Sequence, residues 1–153
     1  MLKIKRLEKK DINQALKIIT ETRAATKIKE ARWLMELSLK KGFHALKPAY
    51  YVLFKDDKII GISGLYQDYE DPEKVRWLDY LAVTPKLQRQ GYGTVMLGNL
   101  EKICRNKKVK LLCVFTDNQK AINFYKKHKF KVFGNIPNYL EHSDNKVWLC
   151  KKL

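Results

Sequence analysis

The segment that most constrains this chain runs from Leu81 to Cys104, LAVTPKLQRQGYGTVMLGNLEKIC. Leu81-Ala82-Val83 reads as the end of a β-strand, and Thr84-Pro85 stops it, because Pro85 has no N–H to give a ladder. A polar turn leads into Gln88-Arg89-Gln90-Gly91-Tyr92-Gly93. From there the apolar period becomes helical, with Met96, Leu97, Leu100, Ile103 and Cys104 on one face. A strand, a glycine-bearing loop and a helix start, in that order, make the geometry of an anion site. The N–H groups of a first helical turn have no intrahelical acceptor, and the helix dipole adds roughly half a positive charge there. Glycine at 91 and 93 lets backbone approach a phosphate closely. Two other phosphate-binding patterns are excluded. A P-loop requires Gly-Lys-Ser/Thr, and Gly93 is followed by Thr94-Val95. A dinucleotide fingerprint requires a third glycine and an acidic residue about 20 positions on, and neither is present.

The elements around this segment follow from periodicity and punctuation. Leu2 to Arg6 alternates apolar and basic residues, as a half-buried strand does. Asp11 suits a helix N-cap ahead of the stripe Ile12, Ala15, Leu16 and Ile19, and a second helix runs from about Lys27 to Lys41, stopped by Gly42. Tyr50–Lys55 and Lys58–Leu65 are apolar runs joined at Asp56-Asp57, a hairpin. Gly64, near the end of the second run, marks a bulge or the close approach of a ligand. An acidic, turn-rich loop from Tyr66 to Lys74 precedes the strand Arg76–Val83. Beyond the central helix, the sequence predicts a strand over Val109–Phe115, a helix capped at Thr116-Asp117-Asn118 and running to about Lys127, a strand over Phe130–Ile136, a turn at Pro137-Asn138 and a last strand over Lys146–Leu153. The order is β-α-α-β-β-β-α-β-α-β-β. We expect an α/β (α+β) fold, a mixed central sheet flanked by helices, occupying residues 1–153 as a single domain.

Composition sets outer limits. A chain of 153 residues, 45% of them hydrophobic, can bury a core. No apolar run approaches 18 residues and no apolar signal segment follows Met1, so we expect a soluble, cytoplasmic protein with no membrane partner. Cys104, Cys113 and Cys150 lack metal-ligand spacing and read as reduced, mostly buried small hydrophobes; no metal is expected. The net charge of +16 would attract polyanions. Of the 32 basic residues, however, only six are arginine, the usual base-reading and bidentate phosphate residue, and the lysines are spread along the chain. Charge therefore admits a nucleic-acid or ribosomal partner without favouring one.

Two motifs carry a resemblance. Leu-Ala-Val-x-Pro-x-x-Gln-x-x-Gly-x-Gly at 81–93 resembles the acetyl-CoA signature of the GNAT N-acetyltransferases, whose core reads Gln/Arg-x-x-Gly-x-Gly/Ala. Asn118, followed by Ala121-Ile122-Asn123-Phe124-Tyr125 and by Lys129-Phe130, resembles the family's Asn…Ala-x-x-Phe-Tyr-x-x-x-Gly-Phe. The second match fails at Lys129, where the family has glycine in the left-handed position after a helix. Lysine there costs about 1 kcal/mol if that shape is kept. The order of elements is also the family's, so the resemblance covers essentially the whole chain.

The resemblance implies acetyl-CoA as cosubstrate and a primary amine, on a small molecule or a protein, as acceptor, with direct attack in a ternary complex. It implies that Leu81, Ala82 and Val83 offer main-chain groups to the pantetheine like an added strand. Gln88, Arg89, Gln90, Gly91, Tyr92, Gly93 and Thr94 would cradle the pyrophosphate. Asn118 would touch the pantetheine, and Arg89, Lys126 or Lys127 would meet the 3′-phosphate. An acceptor ammonium has a pKa of about 10.4, so neutralising it at pH 7 costs roughly 4–5 kcal/mol, which a base, a water relay or an apolar pocket must supply. Tyr125 resembles the family's general acid for the leaving thiolate; its alternative is a core aromatic beside Phe124. Asp79 is the only carboxylate within its strand and is the candidate base; its alternative is a solvated or ion-paired side chain. Strict alternation puts Trp77, Asp79, Leu81 and Val83 on one face of that strand and Tyr80 and Ala82 on the other. His44, His128 and His142 read as isolated surface residues, and Glu36 and Glu141 as spare carboxylates. Cys113 stands where some protein N-terminal acetylating members carry glutamate, which counts against close kinship with the enzymes that acetylate ribosomal proteins. Two other functions stay open: a non-catalytic acyl-CoA-binding regulatory module on the same fold, and a basic protein associated with nucleic acid or ribosomes. The acceptor and the oligomeric state are not legible, although the resemblance allows a homodimer.

Overall fold

The computed structural model describes residues 1–22, 28–41, 46–137 and 145–153. The elements are β1 (Leu2–Arg6), α1 (Ile12–Thr22), α2 (Ile28–Leu39), β2 (Ala49–Lys55), β3 (Lys58–Tyr66), β4 (Val75–Val83), α3 (Tyr92–Asn106), β5 (Leu111–Thr116), α4 (Gln119–Lys127), β6 (Lys131–Ile136) and β7 (Lys146–Lys152). The expected order holds, and the strands form one seven-stranded mixed sheet in the order β1-β2-β3-β4-β5-β7-β6. Gly42, His44, Asn138, Glu141 and His142 lie outside the described residues. Among the described residues no helix is long and apolar enough to cross a membrane.

Local chemistry explains the joints. Asp56 and Asp57 both take positive φ, +47° and +62°, as a two-residue turn must to match the twist of its flanking strands. Asp11 directly precedes α1, but its carboxylate accepts the Glu8 N–H at 3.0 Å and closes a short 3₁₀ turn, not the helix itself. At α4 the N-cap is Asn118, whose side chain accepts the Ala121 N–H at 3.1 Å.

The core lies on both faces of the sheet. On one, Ala15, Ile18 and Ile19 of α1 and Ala31 and Met35 of α2 pack on Tyr50, Val52, Ile62, Tyr80 and Ala82. On the other, Leu97, Leu100 and Cys104 of α3 and Ile122 and Tyr125 of α4 pack on Leu65, Leu78, Leu112, Val114 and Leu149. These two helical layers enclose the point at which the sheet opens. β4 and β5 are parallel partners, yet only Val75, Arg76 and Trp77 pair with Leu111, Leu112 and Cys113. Beyond Trp77 the two strands diverge.

The divergence coincides with a bulge. Ser63 of β3 faces Leu81 and Leu65 faces Leu78, so β4 carries one residue more than its partner over this step. Strict alternation along β4 therefore fails, which corrects the face assignment above. Leu78 packs with α3 and α4, Leu81 and Val83 pack with Met96 of α3, and Tyr80 and Ala82 face α1 and α2. Asp79 shares a face with Tyr80 and not with Leu81.

Candidate active site

The loop after β4 ends in a helix start with little protein-bound polarity. Gly91 occupies the N-cap position of α3 with φ +86°, and Arg89 before it has φ +62°. The first α3 bond joins the Val95 N–H to the Gly91 carbonyl at 3.1 Å, and no side chain caps the helix. Among the described residues, the N–H groups of Arg89, Gln90, Gly91, Tyr92, Gly93 and Thr94 make no hydrogen bond within the protein. Six consecutive donors around a helix N-terminus are a cradle for a polyanionic group. A Cβ at Gly91 would meet nothing within 4 Å, so the space above the turn is open. Gln88 anchors the loop to the strand, its Nε2 donating to the Val83 carbonyl at 3.0 Å.

The end of α4 abuts this cradle. A Cβ at Gly93 would lie 3.5 Å from the Phe124 ring. His128 stacks on Phe124 with centroids 4.3 Å apart, and its Nδ1 lies 2.8 Å from the Phe124 carbonyl. That carbonyl can only accept, so Nδ1 carries the proton; in the neutral ring Nε2 then accepts from the Thr94 hydroxyl at 3.0 Å. His128 is thus a tie between α4 and the first turn of α3, not an isolated surface residue. The (i, i+4) spacing from Phe124 was its only sequence signal. The exposed side chains of Lys126 and Lys127 follow on the same turn of α4.

Between cradle and cavity lies the split sheet. Leu81, Ala82 and Val83 pair with Ser63, Ile62 and Gly61 of β3 and have no β5 partner. An extended ligand entering here would complete the ladder that β5 leaves. Tyr125 is buried on the α4 side, its ring 5.3 Å from Phe124 and 5.2 Å from Phe130, in the cluster that includes Leu78 and Val114 from the two sides of the split. Tyr125 is thus a core aromatic beside the opening.

A family model described as the Acetyltransferase (GNAT) family matches residues 12–130. The chain belongs to that family. No curated protein matches it by sequence. Its fold is similar to that of an N-acetyltransferase from Staphylococcus aureus Mu50, at 16% identity, with a TM-score of 0.82 over 99% of this chain and 98% of that one. It is similar to the ribosomal-protein-S18-alanine N-acetyltransferase from Escherichia coli, at 21% identity and TM-score 0.79 over 99% and 94%. It is also similar to an aminoglycoside 6′-N-acetyltransferase complexed with coenzyme A, at 15% identity and TM-score 0.76 over 98% and 96%.

In this GNAT chain the cavity on the opposite face of the sheet is lined by Glu30, Trp33 and Leu34 of α2, Leu46, Tyr66 of β3, Leu78, Asp79 and Tyr80 of β4 and Phe115 of β5, and holds about 240 Å³. Its walls are aromatic and its charged lining residues are carboxylates. The hydroxyl of Tyr50 donates a short hydrogen bond to Asp79 Oδ2. Burial first, then the charge and the hydrogen bond of Asp79, push the Tyr50 phenol far above its ordinary range. Burial likewise pushes up Tyr66, followed by the charges of Asp79, Asp68, Asp71 and Glu30, so the acidic loop and the cavity share one electrostatic neighbourhood. Asp79 is half-buried and accepts from Tyr50, so it is held by a hydrogen bond and is not a freely solvated side chain. Glu36 points elsewhere, toward Arg32 at 3.8 Å. Asn118 spends its side-chain oxygen on the cap of α4, which leaves its amide nitrogen for any ligand contact.

Proposed function

We propose that this protein is an acetyl-CoA-dependent N-acetyltransferase that acts on a primary amine by direct attack in a ternary complex. The observation that supports the reading is the split between β4 and β5: the six unbonded N–H groups follow the free end of β4, and a cavity lined by Glu30 and Asp79 lies beside the strands that part. The residues fit the cosubstrate. Gln88, Arg89, Gln90, Gly91, Tyr92, Gly93 and Thr94 would hold its pyrophosphate by main-chain donors, Leu81, Ala82 and Val83 its pantetheine by the open ladder, and Asn118 the pantetheine by its amide. When bound, acetyl-CoA supplies an acetyl thioester, an activated acyl group for an amine.

The chain's own groups manage the protons. Asp79 Oδ1 or Oδ2 takes a proton from the acceptor ammonium in the cavity it lines. Tyr125 holds a proton on its phenolic oxygen, on the α4 side of the split, for the departing sulfur. Aromatic walls with carboxylates, and no lysine or arginine among the described lining residues, suit an amine on an apolar body and disfavour acceptors that carry a carboxylate.

The test is calorimetric titration of acetyl-CoA into the protein and into Gly91→Trp at physiological salt. Wild type should bind, and the variant should lose at least about tenfold in affinity, because a side chain at φ +86° is strained and fills the mouth of the cradle. A folded wild type that binds no acetyl-CoA, but binds RNA with a steep salt dependence, would sink this reading in favour of the polyanion partner.

A further inference from the structure

The side chains that could close the cradle at α3 are held elsewhere. A helix commonly spends some of its first N–H groups on a side chain of its own. Here the N-cap is Gly91, which has none to offer. Gln88 is anchored to the Val83 carbonyl at 3.0 Å and Gln90 to the Lys86 carbonyl at 3.4 Å, each through Nε2. Thr94 stands three residues after the cap, the position from which a side-chain oxygen can reach back to the N-cap N–H. Its oxygen makes no such bond. The Thr94 hydroxyl lies instead 3.0 Å from Nε2 of His128, on the neighbouring helix.

His128 is placed to receive that hydroxyl. Its ring stacks on Phe124 with centroids 4.3 Å apart, and Nδ1 lies 2.8 Å from the Phe124 carbonyl. Those two contacts fix the ring and, in its neutral form, leave the Nε2 lone pair facing α3. The backbone of His128 is held as well, its N–H reaching the Phe124 carbonyl at 3.2 Å and the Tyr125 carbonyl at 3.0 Å. The two helices meet at the same place, since a Cβ on Gly93 would lie 3.5 Å from the Phe124 ring. With the Thr94 hydroxyl drawn onto α4, a diphosphate meets the donors of the turn without an internal competitor. Without an acceptor at 128, rotation about one side-chain bond would free that hydroxyl to cap the turn.

We propose that His128 is a positioning residue for the cosubstrate: by holding the Thr94 side chain against α4, it keeps the first turn of α3 uncapped for the acetyl-CoA diphosphate. The inference rests on the reading of the cradle as the acetyl-CoA site, and the experiment separates the two. Acetyl-CoA is titrated calorimetrically into wild type, His128→Phe, His128→Gln and the double variant Thr94→Val/His128→Phe, and the melting temperature of each is measured without ligand. His128→Phe keeps a ring on Phe124 but offers no acceptor, and should bind acetyl-CoA about fivefold more weakly. His128→Gln sets an amide oxygen near the place of Nε2, and should bind within about twofold of wild type. Adding Thr94→Val to His128→Phe removes the competing hydroxyl and should recover most of the loss. Unchanged affinity in folded His128→Phe, with only a lower melting temperature, makes His128 a tie between helices and nothing more, and overturns the proposal. A loss of equal size in His128→Gln, or one that Thr94→Val leaves in place, overturns it too. Should His128→Phe not fold, His128→Leu takes its part in both comparisons. A folded wild type that binds no acetyl-CoA overturns the reading of the cradle instead.

Discussion

Lys129 shows how a single residue can be out of step with its backbone. It closes α4 at φ +68°, the left-handed conformation that glycine adopts freely and a lysine adopts at a cost. Its N–H bonds to the Lys126 carbonyl at 3.0 Å and the following Phe130 N–H to that of Tyr125 at 3.0 Å, so the turn is held by the helix end and by burial of Phe130. Lys129→Gly should therefore stabilise the protein by about 0.5–1 kcal/mol, less than the full strain because glycine also loosens the unfolded chain; urea denaturation measures it. The left-handed turn at 129 was legible from the motif around it. The one at Arg89 was not, because nothing in the loop marks which residue will precede the Gly91 turn in that conformation.

Between elements, a largely buried ion pair joins α3 to β7. Glu101 is mostly buried, and its carboxylate meets Lys151 at 2.5 Å and Arg105 at 3.3 Å, with the Lys151 side chain only 16% exposed. Helix periodicity left Glu101 off the apolar face, and no local pattern joins it to a residue 50 positions later. Glu101→Ala should cost about 2–3 kcal/mol, since it leaves a largely desolvated ammonium without its partner in a chain already rich in cations; the loss is read as a lower urea midpoint. The β4 bulge belongs to the same scale. An extra residue in one strand is a fact about two strands in register: Gly64 marked the place on β3 as a bulge or a ligand approach, and nothing in the run RWLDYLAV read alone says that β4 carries the extra residue.

For the molecule as a whole, burial sets its response to alkali. Burial pushes the Cys104 thiol up to about 11 and the Cys113 thiol up to about 12, against an ordinary value of 9.0, and moves Tyr50 and Tyr66 in the same direction. Between the unfolded and folded values the unfolded chain binds fewer protons, so stability falls as pH rises. The melting temperature should drop steadily above about pH 9, and less steeply in a Cys104→Ala/Cys113→Ala variant. Both cysteines behave as the buried small hydrophobes their surroundings suggested. The net charge of +16 gives an opposite contrast: a cation-rich chain has a cavity lined by carboxylates, a separation that summing charges along the sequence does not reveal.

The order of elements, the glycine turn before α3, the Asn118 cap and the hairpin at Asp56-Asp57 were all determined by the sequence. Each depends on neighbours within a few residues, where dihedral preference, capping and periodicity act. The tertiary structure alone decided that β4 and β5 part after Trp77, that the bulge sets Asp79 beside Tyr80, that Gly64 seats the Tyr50 ring, and that His128 ties α4 to the cradle. Those four facts pair residues 13 to 36 positions apart, and the energy that selects them comes from packing and hydrogen bonds across the sheet. No window of sequence contains both partners together with the geometry that joins them.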